Sequence, residues 1–194
     1  GIAKTLSENG AQLAFSYQND GFKKRLIPLI RTLNSDKCFE CDVSKSASDS
    51  NSIENMFEKI SKIWKEIDFI VHALAYSDKE ELKGKYVKCS RENFLNSLDI
   101  SAFSFTRIAK SSFPLMSLKG GTLLTLSYLG AERTTPNYNV MGVAKSALEA
   151  SIKYLAMDLG KNNIRVNALS AGPVKTLAGA AISGARHVFR YSED

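Results

Sequence analysis

The 194-residue sequence is poor in the residue types that mark metal sites, disulfide scaffolds and membrane proteins: it has three cysteines, two histidines and no long apolar run. A membrane-spanning helix needs roughly 18 apolar residues, so we expect no membrane segment. Cys38 and Cys41 form a C-x-x-C pair, but residues three apart in a predicted strand face opposite sides. Cys89, His72 and His187 add no ligand spacing, so we predict no metal site and no redox role.

The net charge of +6 is not arranged as a nucleic-acid site. Basic residues are mixed with acids, as in KEELKGKYVK at residues 79–88, and no aromatic residues are interleaved with them. Solvated helix faces account for this pattern, and an acidic carrier protein is a second possible use of such a surface. The mixed charges predict no nucleic-acid partner. An odd number of cysteines fits a reducing compartment, so we predict a cytoplasmic protein.

Short apolar runs alternate with amphipathic stretches of about a dozen residues, which is the pattern of a parallel, doubly wound α/β sheet. The predicted strands are 11–17, 37–43, 68–75, 121–127 and 164–169. The predicted helices are 1–9, 22–33, 52–67, 91–116 and 136–159. We find no repeat and no linker in the sequence, so we predict a single dinucleotide-binding and catalytic domain over residues 1–194.

A Rossmann-like sheet usually opens with a strand and a glycine-rich loop that holds a pyrophosphate. This sequence opens inside a predicted helix and stops before a last edge strand. We therefore expect a doubly wound sheet seen without its first and C-terminal strands, in a chain truncated at both ends. The missing first strand would be the central one, so the two strands beside it would have no strand between them with which to pair.

Tyr138 and Lys145 are the candidate chemical pair. In a helix that begins at Pro136 they would lie two turns apart, about 10 Å along the axis and on one face. We expect the lysine charge to lower the pKa of the phenol, which could then serve a developing oxyanion. They follow a strand end, where doubly wound sheets bind ligands. A packed ring and a solvated amine are the alternative interpretation.

Five stretches carry a resemblance to a known family: SYLGAERTTPNYNVMGVAK (127–145), IRVNALSAGPVKTLAGA (164–180), QLAFSYQND (12–20), CDV (41–43) and DFIVHALAYSDKEELKGKY (68–86). With them, essentially the whole chain resembles the short-chain dehydrogenase/reductase superfamily. Within that superfamily it is similar to the bacterial enoyl-[acyl-carrier-protein] reductases of type II fatty acid synthesis.

The block 127–145 is specific to the enoyl reductases. Most of the superfamily has its tyrosine four residues before the lysine, where this chain has Met141, which exchanges no proton. Tyr138 instead gives the Tyr-x6-Lys spacing of enoyl reductases, and Tyr128 stands where the usual catalytic serine would be. A reductase of ketones or ketoacyl thioesters and a truncated, non-catalytic relative are the rival interpretations.

The resemblance implies a role for each residue of the catalytic group. Tyr138 would bind the thioester carbonyl and stabilise the enolate. Lys145 would hold the nicotinamide ribose and support Tyr138 electrostatically. Tyr128 would lie near the substrate as a further catalytic residue, and Ser77 would lie at the substrate mouth unless it merely faces solvent.

The resemblance also implies an NADH site. Its residues would be Gln18 near the adenosine ribose, Asp42 and Val43 at the adenine, Leu74 and Ala75 beside the adenosine, and Val174, Lys175, Thr176, Leu177 and Ala178 on the nicotinamide and pyrophosphate side. The family often has glycine where this chain has Ala75, so that methyl group either crowds the cofactor or is accommodated. Asp42 could instead be a helix cap or a loop residue, and residues 174–178 could form only a surface turn.

NADH is favoured over NADPH by the residues after the predicted strand 11–17. An NADPH site usually has a basic residue directly after this strand, to meet the 2′-phosphate. Here Gln18, Asn19 and Asp20 come first, and the basic residues 23–25 follow a turn later.

The resemblance implies an acyl-carrier-protein-bound enoyl thioester as substrate and a homotetramer as assembly. The predicted helices 91–116 and 136–159 are the expected interfaces. Residues 176–191, rich in glycine and alanine, would form a flap over the acyl chain.

Overall fold

The computed structural model describes residues 1–44 and 47–172. The chain divides into two compact units, 1–63 and 64–194, and each is described by itself. In both units short parallel strands alternate with helices, which confirms the predicted α/β class. The prediction of a single domain stays a prediction.

The first unit contains α1 (Ile2–Glu8), β1 (Phe15–Tyr17), α2 (Asp20–Arg31), β2 (Cys38–Glu40) and α3 (Ile53–Ser61). The strands β1 and β2 pair in parallel, with Phe15 opposite Cys38. Side-chain caps begin two of the helices: Asn19 accepts from the backbone N–H of Phe22, and Ser52 accepts from that of Asn55. These caps fix where the chain leaves each loop.

The second unit contains β3 (Phe69–His72), α4 (Arg91–Leu98), α5 (Ser104–Met116), β4 (Gly121–Ser127), α6 (Asn139–Leu159) and β5 (Ile164–Ser170). Its strands form one parallel sheet in the order β3-β4-β5. Phe69 lies opposite Thr122, and Gly121 lies opposite Ile164. Strand β4 is therefore central, and its carboxyl end is flanked by the ends of both neighbours.

The core of the second unit lies between its sheet and its long helices. Its buried members are Ala102, Phe105, Ala109, Met116, Leu123, Leu148, Ile164 and Val166. Fully burying one large apolar side chain contributes roughly 1.5–3 kcal/mol, so this cluster fixes α5 and α6 against the strands. The site residues on α6 are thus carried by a packed helix.

The predicted helix 91–116 has the predicted bounds and the predicted cap at Ser90, but its middle turn is wider. A π-helical segment, Asp99–Phe103, separates α4 from α5. Ser101 in this segment is fully buried, and its hydroxyl bonds both the N–H and the carbonyl of Tyr76. Wider turns of this kind are common at functional sites. Here the segment directs a serine to the chain that follows β3.

The strands form two separate hydrogen-bonded sheets, β1-β2 and β3-β4-β5, rather than one. The strands β1, β2 and β3 are shorter than predicted, because only residues 15–17, 38–40 and 69–72 pair with a neighbouring strand. Within residues 1–44 and 47–172, no helix is both long and apolar enough to cross a membrane.

Candidate active site

Tyr138 lies immediately before the first residue of α6. Its neighbours Asn137 and Asn139 have left-handed φ angles of 58° and 34°. Asparagine tolerates this backbone region better than most residues. A chain that turns in this way does not run as a helix from Pro136, so the predicted helix start was wrong. Tyr138 and Lys145 are therefore not two residues of one helical face: the tyrosine precedes the helix and the lysine lies within it.

The ring of Tyr138 is enclosed, with only 7% of the residue exposed. It belongs to a buried cluster with Leu82, Val140 and Met141. The ring of Tyr128 meets it edge-on, with centroids 4.9 Å apart. The structure thus brings together the two tyrosines that the sequence singled out.

The pKa of the Tyr138 phenol is raised well above its usual value, first because of burial and second because of the nearby Tyr128. The sequence-based expectation was the opposite, namely that the lysine charge would lower this pKa. It was wrong for this structure because the loss of solvent around the phenol dominates its pKa. The phenol therefore stays protonated near neutral pH and can donate a hydrogen bond.

Lys145 lies on the buried side of α6, with 6% of the residue exposed. Its Nζ donates to the carbonyl oxygen of Leu126 at 2.7 Å, near the end of β4. Burial lowers the pKa of this amine to about 8, and the Glu149 carboxylate acts in the opposite direction. Glu149 also accepts a hydrogen bond from the hydroxyl of Ser127. The alternative of a solvated amine does not describe this lysine.

The surroundings of Lys145 fit a nucleotide sugar. An ammonium group has three N–H donors, and the carbonyl of Leu126 takes one, so donors remain for ribose hydroxyls. Leu74 is half-buried and Ala75 is exposed, and both follow the last residue of β3. The second unit therefore offers a buried cation and an accessible strand end, as one side of a dinucleotide requires.

The candidates of the first unit are Gln18, Asp42 and Val43. Gln18 is exposed directly after β1. The Asp42 carboxylate accepts from the N–H of Ser44 at 2.9 Å, so this residue does act as a loop residue as well. Val43 is half-buried. Their placement beside Tyr138 and Lys145 stays a prediction, and residues 174–178 and the flap 176–191 lie outside the described residues.

Ser77 is half-buried rather than facing solvent. Its hydroxyl lies 3.2 Å from the side-chain oxygen of Asn93. The same oxygen accepts from the N–H of Asp78 at 2.8 Å. Asn93 thus fixes the beginning of the segment 77–90, which we call the 77–90 loop. No pattern in the sequence marks Asn93 beyond its place at the start of α4.

His72 was considered in the sequence only as a metal ligand, yet the structure buries it in a polar network. The residue is 2% exposed, and its two ring nitrogens lie 2.8 Å from the hydroxyls of Thr125 and Ser104. Burial, with the nearby Lys145 charge, lowers the pKa of His72 to about 4. Among the described residues, no group of three or more metal-binding side chains occurs. His72 is thus a neutral link between β3, β4 and α5.

This network predicts acid-dependent stability. The folded state keeps His72 neutral down to about pH 4, whereas the unfolded chain takes up a proton below about 6.5. The free energy of unfolding therefore has its full value above the pKa of His72 in the unfolded chain. It falls by roughly 3 kcal/mol as the pH drops towards 4. Urea unfolding followed by the fluorescence of Trp64 should show this loss in the wild type and a flatter profile in His72→Gln. Equal profiles would contradict the assignment.

Gly130 and Gly142 let the chain approach Tyr138 closely, and neither glycine stands out in the sequence. A Cβ on Gly130 would lie 2.5 Å from Cδ1 of Tyr138, and one on Gly142 would lie 2.8 Å from the carbonyl oxygen of Gly130. We expect Gly130→Ala to lower the free energy of unfolding by about 1–3 kcal/mol, because the ring must shift. Gly160→Ala is the control, since nothing lies within 4 Å of that position. Equal thermal midpoints would show that the ring is not confined as described.

Parallel α/β units with a buried tyrosine and a buried lysine at the carboxyl end of a strand define a Rossmann-like oxidoreductase. A family model described as "Enoyl-(Acyl carrier protein) reductase" matches residues 1–194. The chain belongs to this enoyl-(acyl carrier protein) reductase family.

Known proteins agree with this assignment. The chain is 52% identical to "Enoyl-[acyl-carrier-protein] reductase [NADH] 2" of Rhizobium meliloti, over 100% of the chain and 70% of that protein. It is 50% identical to a solved enoyl-(acyl-carrier-protein) reductase of Anaplasma phagocytophilum in complex with NAD, with a TM-score of 0.89 over 99% of the chain and 69% of that structure. The FabI structure of Candidatus Liberibacter asiaticus gives 50% identity and a TM-score of 0.92 over 99% of the chain and 72% of that structure. These matches confirm the predicted Rossmann-like fold class and the family resemblance.

Proposed function

We propose that this chain reduces the trans-2 double bond of an acyl thioester, carried on acyl-carrier protein, with NADH. One observation carries the proposal: the protonated phenol of Tyr138 lies seven residues before the buried Lys145, while the position four residues before Lys145 holds Met141. The sulfur of Met141 is buried and accepts from the hydroxyl of Ser101 at 3.9 Å. A thioether donates no hydrogen bond, so Met141 cannot serve a developing oxyanion, whereas the phenol of Tyr138 can.

Tyr138 serves the reaction by binding the oxygen on which negative charge develops. Bound NADH would supply a hydride to the β-carbon of the thioester. As the electrons of the double bond move towards the carbonyl oxygen, the hydrogen bond from the phenol stabilises the enolate. A proton from solvent then completes the reduction at the α-carbon. A donor with a raised pKa suits this role, because it holds the oxygen without losing its proton.

Lys145 holds the nicotinamide ribose through the donors that Leu126 does not use. Its charge also stabilises negative charge near Tyr138, since a buried cation acts in a low-dielectric environment. Tyr128 packs against the edge of the Tyr138 ring and restricts its orientation. We assign Tyr138, Tyr128 and Lys145 as the catalytic group on this basis.

The remaining cofactor contacts follow the family resemblance. We assign Gln18, Asp42, Val43, Leu74, Ala75, Val174, Lys175, Thr176, Leu177 and Ala178 to the dinucleotide and Ser77 to the substrate mouth. NADH as the cofactor is supported by the name of the Rhizobium relative and by the NAD in the Anaplasma structure. The Nζ of Lys23 lies over the ring of Tyr17, 5.5 Å from the ring centroid. This contact occupies one of the basic residues that could otherwise bind the 2′-phosphate of NADPH.

We further propose a cytoplasmic homotetramer that works in fatty acid biosynthesis, without nucleic-acid or membrane partners. The exposed apolar residues Tyr154 and Met157 on α6 and Phe103 in the π-helical segment support the expected helical interfaces. Sedimentation of the purified chain at several concentrations tests the assembly. A monomer at all concentrations would contradict it.

The test of the function is NADH oxidation with a trans-2-enoyl thioester on acyl-carrier protein, with NADPH in a parallel assay. We expect turnover with NADH and slower turnover with NADPH. Absence of both turnover and NADH binding would support the non-catalytic relative instead. Binding of NADH without turnover of the enoyl thioester would place the error in the assignment of the substrate.

A further inference from the structure

The side chain of Asn139 joins the start of α6 to the 77–90 loop. Its Nδ2 donates to the carbonyl oxygens of Leu82 at 3.0 Å, Glu81 at 3.2 Å and Gly84 at 3.4 Å. One amide group thus meets three backbone carbonyls of a four-residue stretch that lies 55 to 58 positions earlier in the chain. These carbonyls would otherwise need other donors.

The residue is also held in an uncommon backbone conformation, with φ of 34°. Most residues avoid this region, and asparagine is one of the few that enter it. The conformation directs the amide towards the loop and the preceding Tyr138 towards the buried cluster. Asn139 therefore combines two properties that alanine lacks: tolerance of the left-handed region and two N–H donors.

The loop that Asn139 holds is in contact with the proposed catalytic tyrosine. Leu82 is 7% exposed and packs in the cluster that contains Tyr138. The Glu81 carboxylate accepts from the N–H and hydroxyl of Ser90, and Asn93 holds the beginning of the loop. The loop is thus fixed at its two ends by Ser90 and Asn93, and at its middle by Asn139.

We infer that Asn139 is a positioning residue, which sets the place of Tyr138 through the 77–90 loop. This inference rests on the proposed function. Without the amide, the backbone at residues 81–84 loses its partner, Leu82 leaves the cluster, and one side of the Tyr138 ring is no longer confined. A misplacement of a reacting group by about 1 Å can cost up to a hundredfold in rate.

The test uses two variants of the full chain that separate the amide from the backbone conformation. Asn139→Gly keeps the left-handed φ and removes the amide. Asn139→Asp keeps the shape but presents oxygen to three carbonyl oxygens. We expect both to lower kcat for the enoyl thioester by about tenfold to a hundredfold. The Kd for NADH should change less than about twofold, because the amide does not reach the residues assigned to the cofactor.

The control is Asn9→Ala, which removes an amide that donates to a single carbonyl within the first unit. We expect it to leave kcat unchanged. Wild-type kcat in both Asn139 variants would overturn the inference. If the wild type itself did not reduce the enoyl thioester while it bound NADH, the proposed function would fail instead.

A double-mutant cycle with Leu82→Ala tests the route through the loop. If Asn139 acts through Leu82, the effects of Asn139→Gly and Leu82→Ala on kcat should overlap, and the double variant should lose less than their product. A double variant whose loss of kcat equals the product of the two single losses would overturn the inference. Should the Asn139 variants fail to fold, Leu82→Ala alone decides: a wild-type kcat in that variant would also overturn it.

Discussion

Replacing Tyr138 with phenylalanine is expected to lower kcat for the enoyl thioester by about 10²- to 10⁴-fold, without loss of the fold. The ring is almost fully buried and keeps its packing against Leu82, Met141 and Tyr128 in the variant. What the variant loses is the hydroxyl, the one donor that the account places at the enolate oxygen. The measurement is kcat from NADH oxidation, with the Kd for NADH and the thermal midpoint measured beside it.

The matched control is Tyr128→Phe, which removes a hydroxyl from the partner ring. We expect a smaller loss, because Tyr128 acts on the orientation of Tyr138 and is less buried. Equal losses in both variants would mean that the two hydroxyls act as a unit. A Tyr138→Phe variant with nearly wild-type kcat would remove the basis for the proposed mechanism.

Lys145→Met is expected to lower kcat/KM by about 10²- to 10³-fold and to weaken NADH binding. The thioether chain fills much of the same buried space, so the change removes the charge and its donors rather than the packing. Lys153→Met is the control, because that lysine is exposed on the same helix. A Lys145→Met variant with wild-type NADH affinity would contradict the assignment of the ribose contact.

The pH dependence gives a second expected result for Lys145. Burial lowers the pKa of its amine to about 8, so in the free enzyme the charge is present below that pH and is lost above it. If the charge supports the reaction, kcat/KM should fall as the pH rises through about 8. This alkaline limb should be missing in Lys145→Met. Retention of the limb in the variant would assign it to another group.

The periodicity of the hydrophobic residues and the strand ends were sufficient to predict the α/β class and the location of Lys145 beside the carboxyl end of β4. They were insufficient for the start of α6, since Pro136 is a good first helical residue and only the left-handed backbone at Asn137 and Asn139 delays the helix. The pattern N-Y-N held a signal for this turn, because asparagine is enriched in that region.

Burial explains why the electrostatics of the site could not be predicted from spacing. A Tyr–Lys pair in water would favour ionisation of the phenol, whereas a buried phenol resists it. Which effect dominates depends on contacts from distant segments, such as Leu82 and Gly130, that no local pattern reveals. The same applies to His72, whose two hydroxyl partners lie 32 and 53 positions away in the chain.

The central claim is that Tyr138 serves an enolate rather than a ketone, and one incubation tests it most directly. Wild-type protein receives NADH deuterated at the transferable position, with equal amounts of a trans-2-enoyl and a 3-ketoacyl thioester, and the labelled product is identified by mass spectrometry and NMR. We expect a saturated thioester with one deuterium on the β-carbon and a solvent proton on the α-carbon. A deuterated 3-hydroxyacyl thioester as the main product would contradict it.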